Sequence, residues 1–290
     1  MTKEKALILG NLTIDHNLTE RGKTISPGGS AFFCARTLRN LNFPTAVVSP
    51  FGKDFDKSVL ENISLYPQSP TSLETLIFRN VLLSDKKREQ FVQNLPSAGF
   101  DSIYGIPDSL FSEKKIVMVA PILNNLTYRQ ISKWKEISGN AYFVLLAQGF
   151  FRKVLSSGRV AKRKWIGEGK MVQMFDLIVV SEEDYEDIDE IAARWGRDGR
   201  ISIVTRAEKG STIYSEGKVK DTAAFKVYKS VDSTGAGDVF AAAYAFMYVR
   251  TRDEVYSAVF ANAAAAMSLR FSAKELQYRY EDVIKFMKGR

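Results

Sequence analysis

Short apolar runs recur along the chain and predict buried β-strands. Consecutive aliphatic and β-branched residues are typical of strands that are covered on both faces. These runs lie at 6–9, 46–49, 116–120, 142–146, 177–180 and 201–205. Helical spacing of apolar residues occurs between them, near 30–41, 54–64, 127–137 and 182–195, and 236–288 has an almost wholly helical pattern. This alternation predicts a largely parallel sheet between layers of helices.

One segment, 73–95, breaks the alternation. Its pattern predicts two strands joined by the polar turn Ser84–Lys87. The two strands would form either a small sheet that projects from the main domain or an ordinary surface hairpin, and the pattern leaves both open. The sequence contains no repeat, low-complexity tract or Pro/Gly/Ser-rich linker. We therefore expect one domain over residues 1–290.

Composition narrows the possible chemistry. The 290 residues are 45% hydrophobic and 26% charged, which is typical of a globular protein with a sizeable core. Cys34 is the single cysteine and His16 the single histidine. These counts exclude an internal disulfide and a Cys₄ or His₃ metal site. We expect acid–base chemistry to come mainly from carboxylates, lysines or tyrosines.

The net charge of +8 favours anionic small ligands such as nucleoside phosphates. A basic run at 159–165 raises the question of nucleic acid as a partner. The remaining charge is scattered and interrupted by acidic stretches, so we expect no nucleic-acid binding. The apolar run near the N-terminus is too short for a signal peptide, and no apolar stretch reaches the roughly 18 residues of a membrane span. We expect a cytoplasmic protein without a membrane partner.

The sharpest local signal is the segment Val231–Phe240, which leads into a helical run of apolar residues. Its two glycines and Ala236 leave backbone N–H groups uncovered at the start of the helix, and such a helix start readily binds anions. Asp238 falls in the first helical turn, where it could act as a base beside a bound phosphate. The alternative is that the aspartates of this segment only cap the helix and its glycines only make the turn.

A second pair of glycines, Gly28 and Gly29, precedes the helix predicted near 30–41. Paired glycines permit close approach of a ligand to the backbone, although a tight turn ahead of a packed helix explains them equally well. Asp15 follows the first predicted strand, at the edge where open α/β sheets bind their ligands. A single aspartate in a loop is also a common turn former.

The segment Asp232–Phe240 resembles the D-T-x-G-A-G-D-x-F motif of the ribokinase (phosphofructokinase B, PfkB) family of carbohydrate and nucleoside kinases, with only Ser233 differing. Weaker matches follow the family's order along nearly the whole chain. They are Gly10 and Asn11 with Asp15, Gly28 and Gly29 with Ala35, Gly52 with Asp54, Thr205 with Gly210, and the segment 260–266. The resemblance implies a ribokinase-like α/β fold: a three-layer α/β/α sandwich with a mostly parallel central sheet and a small projecting β-lid from about 12–33 and 73–95.

The resemblance also implies roles for individual residues. Asp238 would deprotonate the acceptor hydroxyl, and the amides of Gly235, Ala236 and Gly237 would hold charge on the transferred γ-phosphoryl group. The acceptor would be bound by Asp15, Gly28, Gly29, Phe33 and Gln148, and the nucleotide by Thr205, Ala207, Gly210 and Asn262. ATP and Mg²⁺ would be the cofactors, with Asp184 reaching the metal through water and Asp232 near a monovalent cation such as K⁺. The lid would exclude water, and pairing of lid edges would make a homodimer.

Several positions depart from the family pattern. Phe33 replaces an asparagine that contacts the sugar, Asp184 replaces a glutamate, and Ala207 replaces a glycine. The stretch Leu145–Arg152 resembles the Gln-Gly-Phe-x-Arg of sugar- and inositol-kinase-like members. The sequence therefore predicts an ATP-dependent kinase that phosphorylates a hydroxyl of a sugar or cyclic polyol. The alternatives are a nucleoside kinase that stacks the base on Phe32 or Phe33, and a catalytically silent member that binds sugar or nucleotide.

Overall fold

The computed structural model describes residues 5–20, 22–82, 88–103 and 105–289. The strands are β1 (Ala6–Gly10), β2 (Thr13–Thr19), β3 (Gly22–Gly28), β4 (Thr45–Val48), β5 (Ser64–Tyr66), β6 (Ile77–Leu82), β7 (Arg88–Gln93), β8 (Ile116–Ala120), β9 (Tyr142–Leu146), β10 (Arg152–Val154), β11 (Val160–Lys162), β12 (Leu177–Ser181), β13 (Ile201–Thr205), β14 (Ser211–Ser215) and β15 (Lys218–Thr222). The helices are α1 (Ser30–Asn40), α2 (Tyr128–Ser138), α3 (Glu168–Val172), α4 (Ile188–Trp195), α5 (Ala236–Thr251), α6 (Glu254–Ser268) and α7 (Tyr280–Lys288).

A large sheet runs through the molecule, with the strand order β15-β14-β13-β12-β9-β8-β1-β4-β5. β1 pairs in parallel with both β4 and β8. Parallel pairing continues from β8 through β9 and β12 to β13, and β14 and β15 add an antiparallel edge. The predicted, mostly parallel sheet is confirmed. Because its strands run the same way, their carboxyl ends meet at one edge, where open α/β sheets usually bind ligands.

Successive residues of the parallel strands belong to different cores, because side chains alternate between the two faces of a sheet. In β1, Ala6 and Ile8 pack in the core shared with α1, α5, α6 and α7. Leu7 and Leu9 pack in the core shared with α2, α3 and α4. Helices therefore cover both faces, and the predicted three-layer α/β/α sandwich is confirmed.

A second sheet has the strand order β3-β2-β6-β7, and we call it the lid sheet. β2 and β3 form an antiparallel pair that follows β1, and β6 and β7 lie within the segment 73–95. The polar turn Ser84–Lys87 lies outside the described residues. Residues 30–33, which the sequence assigned to the lid excursion, belong to α1 instead. Phe32 and Phe33 are buried there against the main core, so the lid part of this segment ends at Gly28 or Gly29.

Several helices are shorter than their sequence pattern indicates. The predicted helix over 54–64 is wrong: the chain makes only a 3₁₀ turn at Lys57–Leu60, and Asn62 then adopts a left-handed φ of 61°, which no α-helix continues through. Residues 182–187 turn before α4 begins, because the Asp184 carboxylate accepts from the Ser181 backbone N–H. Residues 269–279 separate α6 from α7. None of the helices in the described part of the chain could cross a membrane by length and hydropathy.

Candidate active site

A cavity of about 820 Å³ lies between the lid sheet and the carboxyl edge of the large sheet. Its wall includes parts of β2 and β6, the loops after β12 and β13, and the first turn of α5. The predicted site residues in this wall are Asp15, Gly29, Phe33, Gln148, Asp184, Thr205, Ala207, Gly210, Gly235, Ala236, Gly237, Asp238 and Asn262. Gly28 and Asp232 lie outside it. The tertiary structure thus gathers residues from both halves of the chain.

The first turn of α5 presents backbone to this cavity. Gly235 precedes the helix with a left-handed φ of 78°, and no side chain caps the helix start. Asp232 makes a turn instead, since its carboxylate accepts from the Thr234 backbone N–H at 2.9 Å. A Cβ added to Gly237 would meet no atom within 4 Å. The N-terminal end of α5, with its partial positive charge, is therefore open to a ligand.

Asp238 lies in this first turn of α5. Burial raises the pKa of its carboxyl to about 6, and the charges of Asp15 and Asp184 act in the same direction. A hydrogen bond from the Ser30 hydroxyl and the charge of Arg152 lower this pKa and limit the rise. A carboxylate with a pKa just below neutrality is ionised at pH 7 yet more basic than an exposed aspartate, which suits a general base.

The Gly28–Gly29 turn packs against the protein itself. Asp15 on β2 is buried and accepts from the Thr13 hydroxyl at 2.6 Å. A Cβ on Gly28 would lie 2.3 Å from the Asp15 carboxylate, and one on Gly29 would lie 2.2 Å from the Asn11 carbonyl oxygen. These glycines therefore allow α1 and β3 to approach β2 closely, and they fix the carboxylate that faces the cavity.

Phe33 supports the other glycine turn. It is 3% exposed and packs edge-to-face on Phe32, with ring centroids 5.2 Å apart. A Cβ on Gly235 would lie 2.2 Å from the Phe33 ring. Gly235 is therefore required both by its left-handed φ and by contact with this ring.

Asp184 and Gln148 form a pair at the carboxyl edge of the sheet. Burial raises the pKa of Asp184, although the Ser181 N–H and the Gln148 side chain, which both hydrogen-bond its carboxylate, favour the ionised form. Gln148 thus holds Asp184 as well as facing the cavity. Among the residues that the structure describes, no three His, Cys, Asp or Glu side chains gather as a ready-made metal site.

The predicted nucleotide residues surround the loop between β13 and β14. Ala207 adopts a left-handed φ of 46°, and Gly210 packs so closely on the next hairpin that a Cβ would lie 2.0 Å from the Thr222 carbonyl oxygen. Asn262 of α6 is buried and donates to the Thr222 hydroxyl at 3.0 Å. Asn262 therefore ties α6 to the β14–β15 hairpin along the cavity wall.

Sequence reasoning assigned no role to several residues of the wall. Ser30 contacts Asp238, and Asn80 of the lid sheet donates to Asn17 and accepts from Gln90, both at 2.8 Å. Arg152 also lines the cavity. Arg152 is the last residue of the Leu145–Arg152 stretch, so a signal for it was present. The lid amides have no comparable local motif.

Comparisons with known proteins bear on the fold of this chain and on the family that it resembles. Residues 174–273, about a third of the chain, match the family model described as pfkB family carbohydrate kinase, and this segment contains the α5 turn and Asp238. The bifunctional protein HldE of Nitratiruptor is 21% identical over 297 residues, which cover 91% of this chain and 61% of the relative. The chain therefore spans about three fifths of the length of the curated relative that it matches.

Solved structures agree in fold. A pyrophosphate-dependent kinase in the ribokinase family, complexed with a pyrophosphate analog and myo-inositol, has a TM-score of 0.77 at 19% identity and covers 96% of this chain and 99% of its own. The Arabidopsis thaliana ribokinase complexed with ribose and ATP has a TM-score of 0.72 at 17% identity and covers 99% of both chains. The chain has the ribokinase-family fold. The resemblance inferred from Asp232–Phe240 is confirmed, and the matched family consists of carbohydrate kinases, which are phosphotransferases with an alcohol acceptor.

Proposed function

We propose that this protein transfers the γ-phosphoryl group of ATP to a hydroxyl of a sugar or cyclic polyol. The observation that carries the proposal is the pairing of an uncapped helix start at Gly235–Gly237 with the Asp238 carboxylate in one large cavity. Phosphoryl transfer needs positioning and charge stabilisation more than covalent help from the protein. An amide-lined anion site next to a base of raised pKa supplies both.

The residues divide the reaction between two ends of the cavity. At the lid end, Asp15 and the amides of Asn80 and Gln90 offer hydrogen bonds that suit a polyol. Asp238 takes the proton of the attacking hydroxyl. The first turn of α5 holds the charge that develops on the phosphoryl group. At the other end, the loop Thr205–Gly210 borders the space proposed for the nucleotide.

The wall of the cavity fits Mg²⁺ that arrives with the donor. Mg²⁺ usually keeps several waters and binds one or two carboxylates together with phosphate oxygens, so it does not need a full protein cage. Glu182, Glu183 and Asp184 place carboxylates in the wall. Asp184 would hold the ion through water, and the ion would neutralise phosphate charge. Asp232 as a neighbour of K⁺ remains a prediction.

The donor and the acceptor class each have an alternative. One structural neighbour is described as pyrophosphate-dependent and bound to myo-inositol, and another is bound to ribose and ATP. Pyrophosphate would reach the same helix start without a nucleotide. A nucleoside acceptor has less support, because Phe33 packs beneath Gly235 and is almost fully covered. The cytoplasmic location, the lid-mediated dimer and the lack of nucleic-acid binding remain predictions.

A donor and acceptor matrix tests the proposal. Purified protein with Mg²⁺ is given ATP or pyrophosphate and one of ribose, fructose, myo-inositol, adenosine or cytidine, and phosphorylated products are detected by mass spectrometry. We expect a phosphorylated sugar or polyol with ATP, formed at a strongly reduced rate by Asp238→Asn. A rise in melting temperature with ligand, without product for any pair, would instead identify a catalytically silent member.

A further inference from the structure

The charges in the described wall of the cavity are unevenly distributed. Its acidic side chains are Asp15, Glu182, Glu183, Asp184, Glu208 and Asp238, and its basic ones are Arg152 and Lys226. Lys226 follows Ala224, whose backbone packs beside Gly210 at the end proposed for the nucleotide. The charge of Arg152 acts on both Asp184 and Asp238. Of the two basic side chains, Arg152 is therefore the one whose charge acts on the proposed base, Asp238.

Arg152 is held from two sides. It begins β10, and its Nη1 donates to the Ile122 carbonyl oxygen at 3.1 Å. Its guanidinium carbon lies 5.9 Å from the ring centroid of Phe78, which belongs to the lid sheet. The β10–β11 hairpin also joins the lid sheet, since the Val92 N–H donates to the Gly158 carbonyl at 2.8 Å. The guanidinium is thus fixed between the floor of the cavity and the lid.

A phosphoryl group that approaches Asp238 meets an electrostatic problem. Asp15, Asp184 and Asp238 are negative, and negative charge spreads over the oxygens of the phosphoryl group during transfer. The start of α5 contributes only a partial positive charge. A guanidinium carries a full charge at every relevant pH, and its planar donors match pairs of phosphoryl oxygens. Arg152 has the charge and the shape that this arrangement requires.

We propose that Arg152 is a further catalytic residue of the reaction proposed above, contacting the phosphoryl group in transit and offsetting repulsion from the neighbouring carboxylates. The acceptor oxygen forms the new O–P bond as the P–O bond to the leaving ADP breaks. The acceptor proton passes to Asp238, and Arg152 keeps its own protons throughout. The inference rests on the proposed function, since it needs a phosphoryl group in this cavity.

The test compares Arg152→Gln with Lys153→Gln, which removes the same charge from the adjacent, exposed position of β10. Both variants are assayed with the acceptor identified by the matrix above, at pH 8, where Asp238 is ionised. Loss of one charge-stabilising donor in an enzyme costs about 10²–10³-fold in kcat. We expect a loss of this size for Arg152→Gln and the wild-type kcat for Lys153→Gln. Equal kcat values in the two variants would overturn the proposal.

A pH profile gives a readout that a purely structural role would not move. Groups that act on the Asp238 carboxyl are Ser30 of α1, Asp15 of β2, Arg152 of β10 and Asp184 after β12, and the Cys34 thiol contacts the Asp238 carbonyl oxygen. Because Arg152 lowers the pKa of Asp238, Arg152→Gln should shift the acidic limb of kcat/KM to higher pH. An unshifted limb would contradict the placement of the Arg152 charge beside the proposed base.

Two outcomes separate this inference from the function on which it rests. Product from the wild type, a strongly reduced kcat in Asp238→Asn and full kcat in Arg152→Gln would support the kinase activity and reject the catalytic role of Arg152. No product from the wild type with any donor would reject the proposed kinase activity itself. Melting curves check folding. If Arg152→Gln does not fold, Arg152→Lys is assayed in its place. A wild-type kcat in Arg152→Lys would reject the need for a planar guanidinium.

Discussion

Two glycine turns, each at the start of a helix, face different surroundings in this protein. The Gly28–Gly29 turn before α1 is filled by the protein's own atoms, with the Asp15 carboxylate where a Cβ of Gly28 would be. The Gly235–Gly237 turn at the start of α5 is packed only on one side, where Phe33 lies against Gly235. Gly237 faces open space. The first turn positions a side chain, and the second leaves backbone amides accessible.

This difference shows that glycine before a helix is not by itself a sign of a ligand site. Both turns look alike in sequence, and both allow close approach to the backbone. What approaches is decided by the rest of the fold. At α1, β2 packs against the glycines, and at α5, Gly237 lines the cavity. Substitutions at the two turns should therefore affect different measurable properties.

The largest effect is expected at the two carboxylates beside these turns, Asp238 and Asp15, whose substitutions should change different kinetic constants. Asp238→Asn removes the proposed base and should lower kcat by about 10²–10⁴-fold with donor binding retained. Asp15→Asn should mainly raise the acceptor KM, because Asp15 is assigned to binding. Steady-state kinetics with varied acceptor distinguish the two. Equal losses of kcat in both variants would contradict the assignment of Asp238 to catalysis and Asp15 to acceptor binding.

The same carboxyl predicts a pH dependence. Since the pKa of Asp238 is raised to about 6, wild-type kcat/KM should rise with pH through that value and then level off. The folded protein holds this proton more tightly than the unfolded chain, so ionisation costs stability as pH rises from about 4 through 6. Asp238→Asn should consequently be at least as stable as the wild type at pH 8, measured by urea unfolding. Lower stability of the variant at pH 8 would contradict burial as the cause.

Gly235→Ala, at the start of α5, should have the next largest effect on kcat. An alanine there must adopt a left-handed φ, at a cost of about 1–2 kcal/mol, and its Cβ collides with Phe33. Displacing the amides should lower kcat about 10²–10³-fold. The matched control is the double variant Gly235→Ala with Phe33→Ala, which removes the collision. The stability lost in the double variant should be smaller than the sum of the losses in Gly235→Ala and Phe33→Ala, and additive losses would argue against the contact.

Gly28→Ala should disturb the packed turn. Its Cβ would overlap the Asp15 carboxylate, so we expect a loss of about 1–3 kcal/mol in stability, typical of overpacking, and a higher acceptor KM. Donor KM should stay near the wild-type value. Urea unfolding and kinetics with each substrate varied measure these changes. A rise in donor KM alone would place the turn at the wrong end of the cavity.

Gly237→Ala should have the smallest structural effect. The added Cβ meets no protein atom, and alanine favours a helix by up to about 1 kcal/mol over glycine, so stability should hold or increase. The methyl group would project toward the donor and raise its KM. A variant less stable than the wild type, with unchanged donor KM, would show that this turn is packed like the first.

The hydrophobic pattern determined most of the main sheet. The runs at 116–120, 142–146 and 201–205 coincide with β8, β9 and β13, because long apolar runs leave few alternatives to a strand buried on both faces. The pattern was wrong at 54–64, where a left-handed Asn62 ends the turn, and it did not indicate the short β14–β15 hairpin. Such features depend on single dihedral angles and on pairing partners, which a periodicity does not contain.

By itself the sequence determined the layered fold and the chemical character of the α5 turn, because both depend on local residue types and their spacing. It placed Asp238 at a helix start, where an anion and a base can meet. Only the tertiary structure decided that this carboxylate is buried, which raises its pKa, and that Ser30, Arg152, Asp15 and Asp184 act on it. Electrostatic interactions act through space between residues that lie far apart in the chain, and folding alone sets those distances.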